Sequence, residues 1–209
     1  MFADFSMFID TIRIVLQKER NGELFQKQMA PAFQLPANLT KPEIEKVHAA
    51  VLILLFPKNN SIFIPFIQRT IHPKDPHSGQ ISFPGGRFEK EDISFEKTAL
   101  REASEEIGIV PQNIEIIGKL SSLYVPVSGY EIHPFIAYAQ QSQEYILDKN
   151  EVENVIEVDL SHLMNPKNIS HKSIQRFGTI IDVPFYNVSS IEIWGATAMI
   201  ISELIHILD

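Results

Sequence analysis

Apolar residues recur at Phe5, Phe8, Ile9, Ile12, Val15 and Leu16, the spacing of one helix face, and predict an amphipathic helix over residues 3 to 19. Asp4, Asp10 and Glu19 dilute any basic face, so it reads as a core or dimer-packing helix, not a membrane anchor. Residues 20 to 42 are a polar, proline-containing connector. The period then changes. His48 to Phe56 is a continuous apolar run of strand length, Lys58-Asn59-Asn60 is a turn signal, and Ile62 to Gln68 returns as the second arm of a hairpin. A polar loop, Thr70 to Gln80, carries His72, Lys74 and His77, and a short β-like run from Ile81 to Phe83 breaks at Pro84-Gly85-Gly86.

Helical spacing resumes at Phe95. Phe95, Ala99, Ala103 and Ile107 form an apolar stripe with Leu100 at its edge, while Glu102, Glu105 and Glu106 share an adjoining arc. Arg101 is placed for an i,i+4 pair with Glu105. Ser94 or Asp92 can cap the start, Gly108 supplies a left-handed stop, and Pro111 prevents the helix resuming. Ile114 to Val125 and Ile132 to Ala139 read as strands around a turn at 126 to 131. Val155 to Val158 is a further strand and Ser161 to Met164 a helical turn. Ile169 to Phe177 and Thr179 to Phe185 form a hairpin joined near Gly178, and Trp194, Ala198, Ile201, Leu204, Ile205 and Leu208 trace a final helix. Strands and helices mix without strict alternation, which predicts an α+β fold with a mixed sheet between helices.

Composition narrows the classes. The chain has 209 residues, 44% hydrophobic and 21% charged, as expected for one globular domain. Its net charge of −8 and lack of a basic patch argue against extended nucleic-acid binding. There is no Cys, so neither disulfides nor Cys-ligated zinc enter, and a cytoplasmic location is the expectation. The N-terminus lacks a basic, cleavable apolar leader, and the longest apolar run, Val47 to Phe56, is too short to span a bilayer.

The candidate chemistry lies on the predicted helix at 95 to 107. Three Glu within about one turn repel one another, each like-charge neighbour pair costing a few tenths of a kcal/mol. They also sit near the helix C-terminus, where the macrodipole disfavours anions. A divalent cation such as Mg2+ compensates both, because hard cations take carboxylate oxygens and keep waters for phosphate ligands.

The stretch from Gly86 to Ile109 resembles the Nudix box, Gly-x5-Glu-x7-Arg-Glu-U-x-Glu-Glu-x-Gly-U with U aliphatic or small. Arg101, Glu102, Ala103, Glu105, Glu106, Gly108 and Ile109 match its second half. In the first half, Asp92 replaces Glu and the gap to Arg101 is one residue longer. That variant resembles the coenzyme A diphosphatase branch of the family. The branch's upstream signature is matched in part by Arg69-Thr70, Lys74, Gly79 and Phe83-Pro84-Gly85-Gly86, with Lys74 where a second Arg is usual and one residue inserted before Gly79.

The resemblance implies a Nudix-type α/β/α sandwich over residues 43–209, preceded by an N-terminal helix and connector over 1–42 that pack on it. It implies Mg2+ or Mn2+ as cofactor, held by Glu102, Glu105, Glu106 and the Gly86 carbonyl, with Arg101 holding a catalytic Glu in place. The general base is left between Glu105 and a loop carboxylate, Glu151 first and Glu153 second. Arg69 and Lys74 are candidate phosphate binders; Tyr124 and Tyr130 are candidate base-stacking residues that read first as sheet-packing aromatics. His133, before Pro134, reads as structural and not as a ligand. The implied substrate is a nucleoside diphosphate derivative, coenzyme A or its thioesters first. ADP-ribose, NADH or dinucleoside polyphosphates are the alternatives, and a non-catalytic nucleotide-binding module is a third reading. A homodimer through the apolar N-terminal helix is one possible assembly.

Overall fold

The computed structural model describes residues 4–18, 21–32, 46–71, 78–176, 178–189 and 191–208. Lys74, His72 and His77 lie outside the described residues. The elements in chain order are α1 (Phe5–Leu16), α2 (Gly22–Gln26), β1 (Val47–Lys58), β2 (Ser61–Arg69), β3 (Ile81–Ser82), β4 (Gly85–Arg87), α3 (Phe95–Ile107), β5 (Glu115–Lys119), β6 (Leu123–Val125), β7 (Tyr130–Tyr138), β8 (Val152–Asp159), α4 (Leu160–Met164), β9 (Ile169–Arg176), β10 (Thr179–Val188), β11 (Ile191–Trp194) and α5 (Ala196–Leu208).

The long apolar run of β1 is the middle of a mixed sheet. It pairs in parallel with β7 from Val47↔Tyr130 to Leu55↔Tyr138, and antiparallel with β2 and with β4. Strand β2 carries β3 and β8, and β7 carries β5 and β6, giving eight strands in all. Side chains alternate across a strand, so a central strand covered on both faces is apolar throughout. Ala50, Leu52, Leu54 and Phe56 of β1 pack with Ala99, Ala103 and Ile107 of α3. Ile53 and Leu55 face the other way, onto Ile9 and Ile12 of α1 and Ile200, Ile201 and Leu204 of α5. The result is an α/β/α sandwich, with a separate three-stranded sheet β11–β10–β9 beside it. Among the described residues no helix is long and apolar enough to cross a membrane.

Several local readings are corrected. The segment 114–125 is two strands, because Ser121 N–H donates to Glu203 (2.9 Å) instead of a neighbouring strand. Trp194 ends strand β11, paired with Phe185, and α5 starts only at Ala196. The break read at Pro84-Gly85-Gly86 gives way at Gly85–Arg87 to a short strand on β1. The connector after α1 contains α2, fastened to α5 by Gln26 Nε2–H donating to Glu203 (2.7 Å) and by Ser202 donating to the Phe25 carbonyl (2.8 Å). Glu203 is buried, and both its oxygens are hydrogen-bonded. These polar bonds have no periodic signature, which is why the pattern at 20–42 reads as loop.

Candidate active site

Helix α3 starts at Ser94, whose hydroxyl accepts from Lys97 N–H, and stops at Gly108 in the left-handed conformation (φ 70°). Its apolar stripe binds it to β1, which fixes its rotation and turns Glu102 and Glu106, one turn apart, toward the β4 turn. Gly85 N–H donates to Glu106 Oε2 (2.8 Å). At Gly86 the Glu102 carboxyl packs directly over the Cα: an added Cβ would lie 2.5 Å from its carboxyl carbon. The Gly-Gly pair therefore serves two different purposes. Gly85 lets the backbone approach β1, where a Cβ would meet Val51 Cα at 2.6 Å, and Gly86 leaves room for a carboxylate.

The helix C-terminus carries the other half of the site. Ile146 N–H donates to the Ile107 carbonyl (3.1 Å) and Asp148 N–H to the Glu106 carbonyl (3.0 Å). These bonds satisfy helix-end acceptors that otherwise lack partners. Gly108 permits the approach, since a Cβ there would meet Ile146 at 2.8 Å. The loop then turns, Asp148 Oδ1 accepting from Asn150 N–H (2.9 Å), and Thr70 N–H donates to the Glu151 carbonyl (2.9 Å) at the end of β2. Glu102, Glu105, Glu106, Asp148 and Glu151 thereby line one cavity of about 180 Å³.

Burial pushes the Glu106 carboxyl up to about 8, opposed by the Gly85 N–H bond and by the charge of Arg69, and reinforced by Glu102 and Glu151. Burial also raises Glu102, which Arg101 partly offsets. A partly buried set of carboxylates that raise one another's pKa fits a hard divalent cation, because charge neutralisation and oxygen ligation are what these groups lack. Glu102, Glu106, Asp148 and Glu151 line the cavity that such an ion would occupy, although among the described residues no three of them bring carboxylate oxygens within 4.8 Å of one another.

Arg101 does not simply pair with a glutamate of the cluster. Its Nε and Nη2 donate bidentately to Asp92 Oδ1 and Oδ2 (2.9 Å each), its Nη2 also reaches the Arg87 carbonyl (3.1 Å) and Glu102 Oε1 (3.0 Å), and Nη1 donates to Glu105 (2.9 Å). Asp92 is buried, and also accepts from Thr98 (2.9 Å) and Glu89 N–H (3.0 Å). The Arg101 guanidinium holds the Asp92 carboxyl far below the usual carboxylate range. Asp92 is thus the anchor of the Arg clamp, and the helix cap is Ser94.

Glu105 is well exposed, with a carboxylate engaged by Arg101. Glu153 is exposed and outside the cavity lining, whereas Glu151 is within it. Arg69 ends β2, with its N–H on the Gln80 carbonyl and its charge felt by Glu106. Tyr124 lies beside Lys46, whose ammonium is 5.5 Å from the ring centroid, and Tyr130 pairs with Val47 and Val125; neither lines the carboxylate cavity. Sequence reasoning passed over Asp148 and the role of Asp92. The Asp-x-Asn pattern at 148–150 and the nine-residue spacing from Asp92 to Arg101 are the signals the sequence carries for them.

Comparison with known proteins bears on family and fold. The NUDIX domain family profile matches residues 46–176. Nudix hydrolase NudL of Photorhabdus laumondii subsp. laumondii is 32% identical over 171 residues, covering 82% of this chain and 90% of its own. NudL of Escherichia coli strain SMS-3-5 is 33% identical over 171 residues, covering 79% and 88%. The crystal structure of a MutT/nudix family protein from Enterococcus faecalis superposes with a TM-score of 0.51 at 16% identity, over 97% of this chain and 73% of that one, a likeness of fold.

Proposed function

The chain belongs to the Nudix family of hydrolases acting on diphosphate linkages in nucleotide derivatives, and from that premise we propose that it cleaves coenzyme A or an acyl-coenzyme A to 3',5'-ADP and the corresponding 4'-phosphopantetheine. The observation that carries the hydrolytic reading is the cavity lined by Glu102, Glu105, Glu106, Asp148 and Glu151. The coenzyme A reading is supported by the box variant, in which Asp92 and the extra residue before Arg101 replace the usual Glu and spacing. The bidentate Asp92–Arg101 pair is consistent with that variant forming a working clamp.

Glu102, Glu106 and the Gly86 carbonyl would hold Mg2+ or Mn2+, and Glu105 would meet a second ion. Bound divalent cations neutralise the diphosphate, lower the pKa of the attacking water and stabilise the leaving oxygen. The chain's own groups do the rest. Gly85 N–H fixes the Glu106 carboxylate. Arg101 fixes Glu102 against the β4 turn through its hold on Asp92 and the Arg87 carbonyl. Arg69, whose charge reaches Glu106, would meet the negative charge of the substrate phosphates. Water oxygen bonds to one phosphorus, the bridging P–O bond breaks, and the water's proton passes to a carboxylate. Glu151 is the better placed acceptor, since it lines the cavity while Glu105 is engaged by Arg101.

The test is turnover by purified protein with Mg2+ or Mn2+ on coenzyme A, acetyl-coenzyme A, ADP-ribose, NADH and diadenosine polyphosphates, with products separated by chromatography. Release of 3',5'-ADP from coenzyme A compounds well above the other rates is the expected result. Faster cleavage of another compound overturns the coenzyme A assignment and keeps the hydrolase. No turnover of any compound with either metal favours a binding module.

A further inference from the structure

A second group of ligating side chains converges outside the carboxylate cavity. Among the described residues, His48, Glu131 and His133 alone bring three such ligand atoms within 4.8 Å of one another. We propose that these three residues form a binding site for a divalent transition metal such as Zn2+, separate from the carboxylate cluster of α3.

Strand register assembles it. His48 on β1 faces Glu131 on the parallel strand β7, and Ala50 faces His133, so the three side chains lie on one side of the sheet. His48 Nδ1 is 3.1 Å from His133 Nε2 and 3.4 Å from Glu131 Oε2. Ligands held tetrahedrally at about 2.0–2.2 Å from zinc stand roughly 3.3–3.6 Å from one another. The two His48 spacings are close to that, and the third pair lies within 4.8 Å.

Proton bookkeeping points the same way. If His133 Nε2–H donates to His48 Nδ1, that nitrogen's lone pair is used and it cannot donate to Glu131. If His48 Nδ1–H donates instead, one proton is shared between two acceptors. A single cation satisfies all three lone pairs together. The ligands are also pre-oriented. Phe95, the first residue of α3, stacks on His133 with ring centroids 3.9 Å apart and planes 7° from parallel. Lys46 holds the other carboxylate oxygen of Glu131 at 2.9 Å, leaving Oε2 turned toward His48. Partners of this kind fix the direction of metal ligands. The His48 side chain is 39% exposed, which gives an ion and a fourth ligand from solvent a way in.

Two imidazoles select against Mg2+ and in favour of zinc-like ions, whereas the all-carboxylate cavity does the reverse. The two sites also differ in consequence. Phe88 N–H donates to the His48 carbonyl (2.9 Å), at the start of the loop that carries Asp92. A metal here braces β1, β7 and that loop. The pattern along the chain reads His133 as structural because its partner His48 lies 85 residues away.

Cobalt(II) is the probe, because four-coordinate cobalt with imidazole ligands absorbs visible light much more intensely than six-coordinate cobalt on oxygen ligands. Full-length protein stripped with chelator is titrated with Co2+ without substrate. One equivalent per chain producing intense visible bands, displaced by Zn2+ and retained in the Glu102→Gln/Glu106→Gln double variant, is the expected result. His133→Asn and His48→Asn each abolish the bands and weaken binding at least about 100-fold, since outer partners alone cost metal sites 10–100-fold. Circular dichroism checks that each variant folds. Should His133→Asn unfold through loss of the Phe95 stack, the half-exposed His48→Asn carries the test. Only weak bands in the parent protein, or intense bands untouched by His48→Asn, overturn the proposal and leave a hydrogen-bonded cluster. Neither result bears on whether the α3 cavity hydrolyses diphosphates.

Discussion

Replacing Gly86 by Ala isolates the position of a single carboxylate. The new Cβ would stand 2.5 Å from the Glu102 carboxyl carbon and 2.7 Å from Oε1. Carbons make favourable contact at roughly 3.5 Å, so the carboxylate must retreat by about 1 Å. The obstacle is the far end of a flexible side chain, not backbone, and Gly86 does not occupy the left-handed region. The fold therefore absorbs the change, and Tm shifts by no more than a few degrees. Function does not absorb it, because misplacing a catalytic group by about 1 Å lowers rates about 100-fold. The assay measures kcat on the panel substrate cleaved fastest, at saturating Mg2+ or Mn2+, together with Mg2+ affinity by calorimetry. Both are expected to fall in Gly86→Ala, the rate by about 100-fold. Gly85→Ala is the contrast. There the Cβ meets Val51 Cα at 2.6 Å and the residue sits at φ 150°, so stability is lost first. Gly86→Ala with near-parental turnover would refute the placement of Glu102 in the reacting centre.

Three further outcomes follow from the same geometry. Arg101→Lys keeps the charge but cannot reproduce the bidentate hold on Asp92 together with the Arg87 carbonyl and Glu105 contacts; urea unfolding should show a loss of about 1–3 kcal/mol, and turnover should fall at least about tenfold. In chelator, the folded protein keeps a proton on Glu106, pushed up to about 8 from 4.5, that the unfolded chain has already released. Its contribution to metal-free stability therefore falls as pH rises across that window, by up to about 1.4 kcal/mol per unit. Thermal melts should show Glu106→Gln gaining on the parent protein with rising pH, and a constant difference would contradict this. Glu203→Ala removes the acceptor for Gln26 and for Ser121 N–H. Losing these two hydrogen bonds, with Gln26 keeping its bond to the Ser121 carbonyl, is expected to lower stability by about 1–3 kcal/mol in denaturant titration, without altering the metal affinity of the α3 cavity.

What the chain reveals by itself is what is local. The stripe of Phe95, Ala99, Ala103 and Ile107, the stop at Gly108 and the run at β1 all follow from spacing, and each has the packing that spacing implies. The boundaries suffer where a side chain takes over a backbone partner, as Glu203 does for Ser121. The site is legible to the extent that it lies on one helix. Glu102, Glu105 and Glu106 share an arc, but their arrival beside Asp148 and Glu151 depends on N–H groups of residues 146 and 148 capping the helix end. The same holds for Asp92, whose burial against Arg101 and Thr98 is a tertiary fact. His48 and Glu131 become neighbours only through the parallel β1–β7 register, which no short-range pattern encodes.

The most direct measurement is Mg2+- or Mn2+-dependent turnover of Glu106→Gln beside the parent protein, with circular dichroism and Tm recorded on the same samples. The amide can still accept from Gly85 N–H and carries no buried charge. The variant should therefore fold with an equal or higher Tm in chelator while losing at least about 100-fold in turnover, in line with losing a group that acts in the transition state. A folded Glu106→Gln protein that hydrolyses its substrate at near-parental rate would contradict the assignment of the α3 carboxylates as the hydrolytic centre.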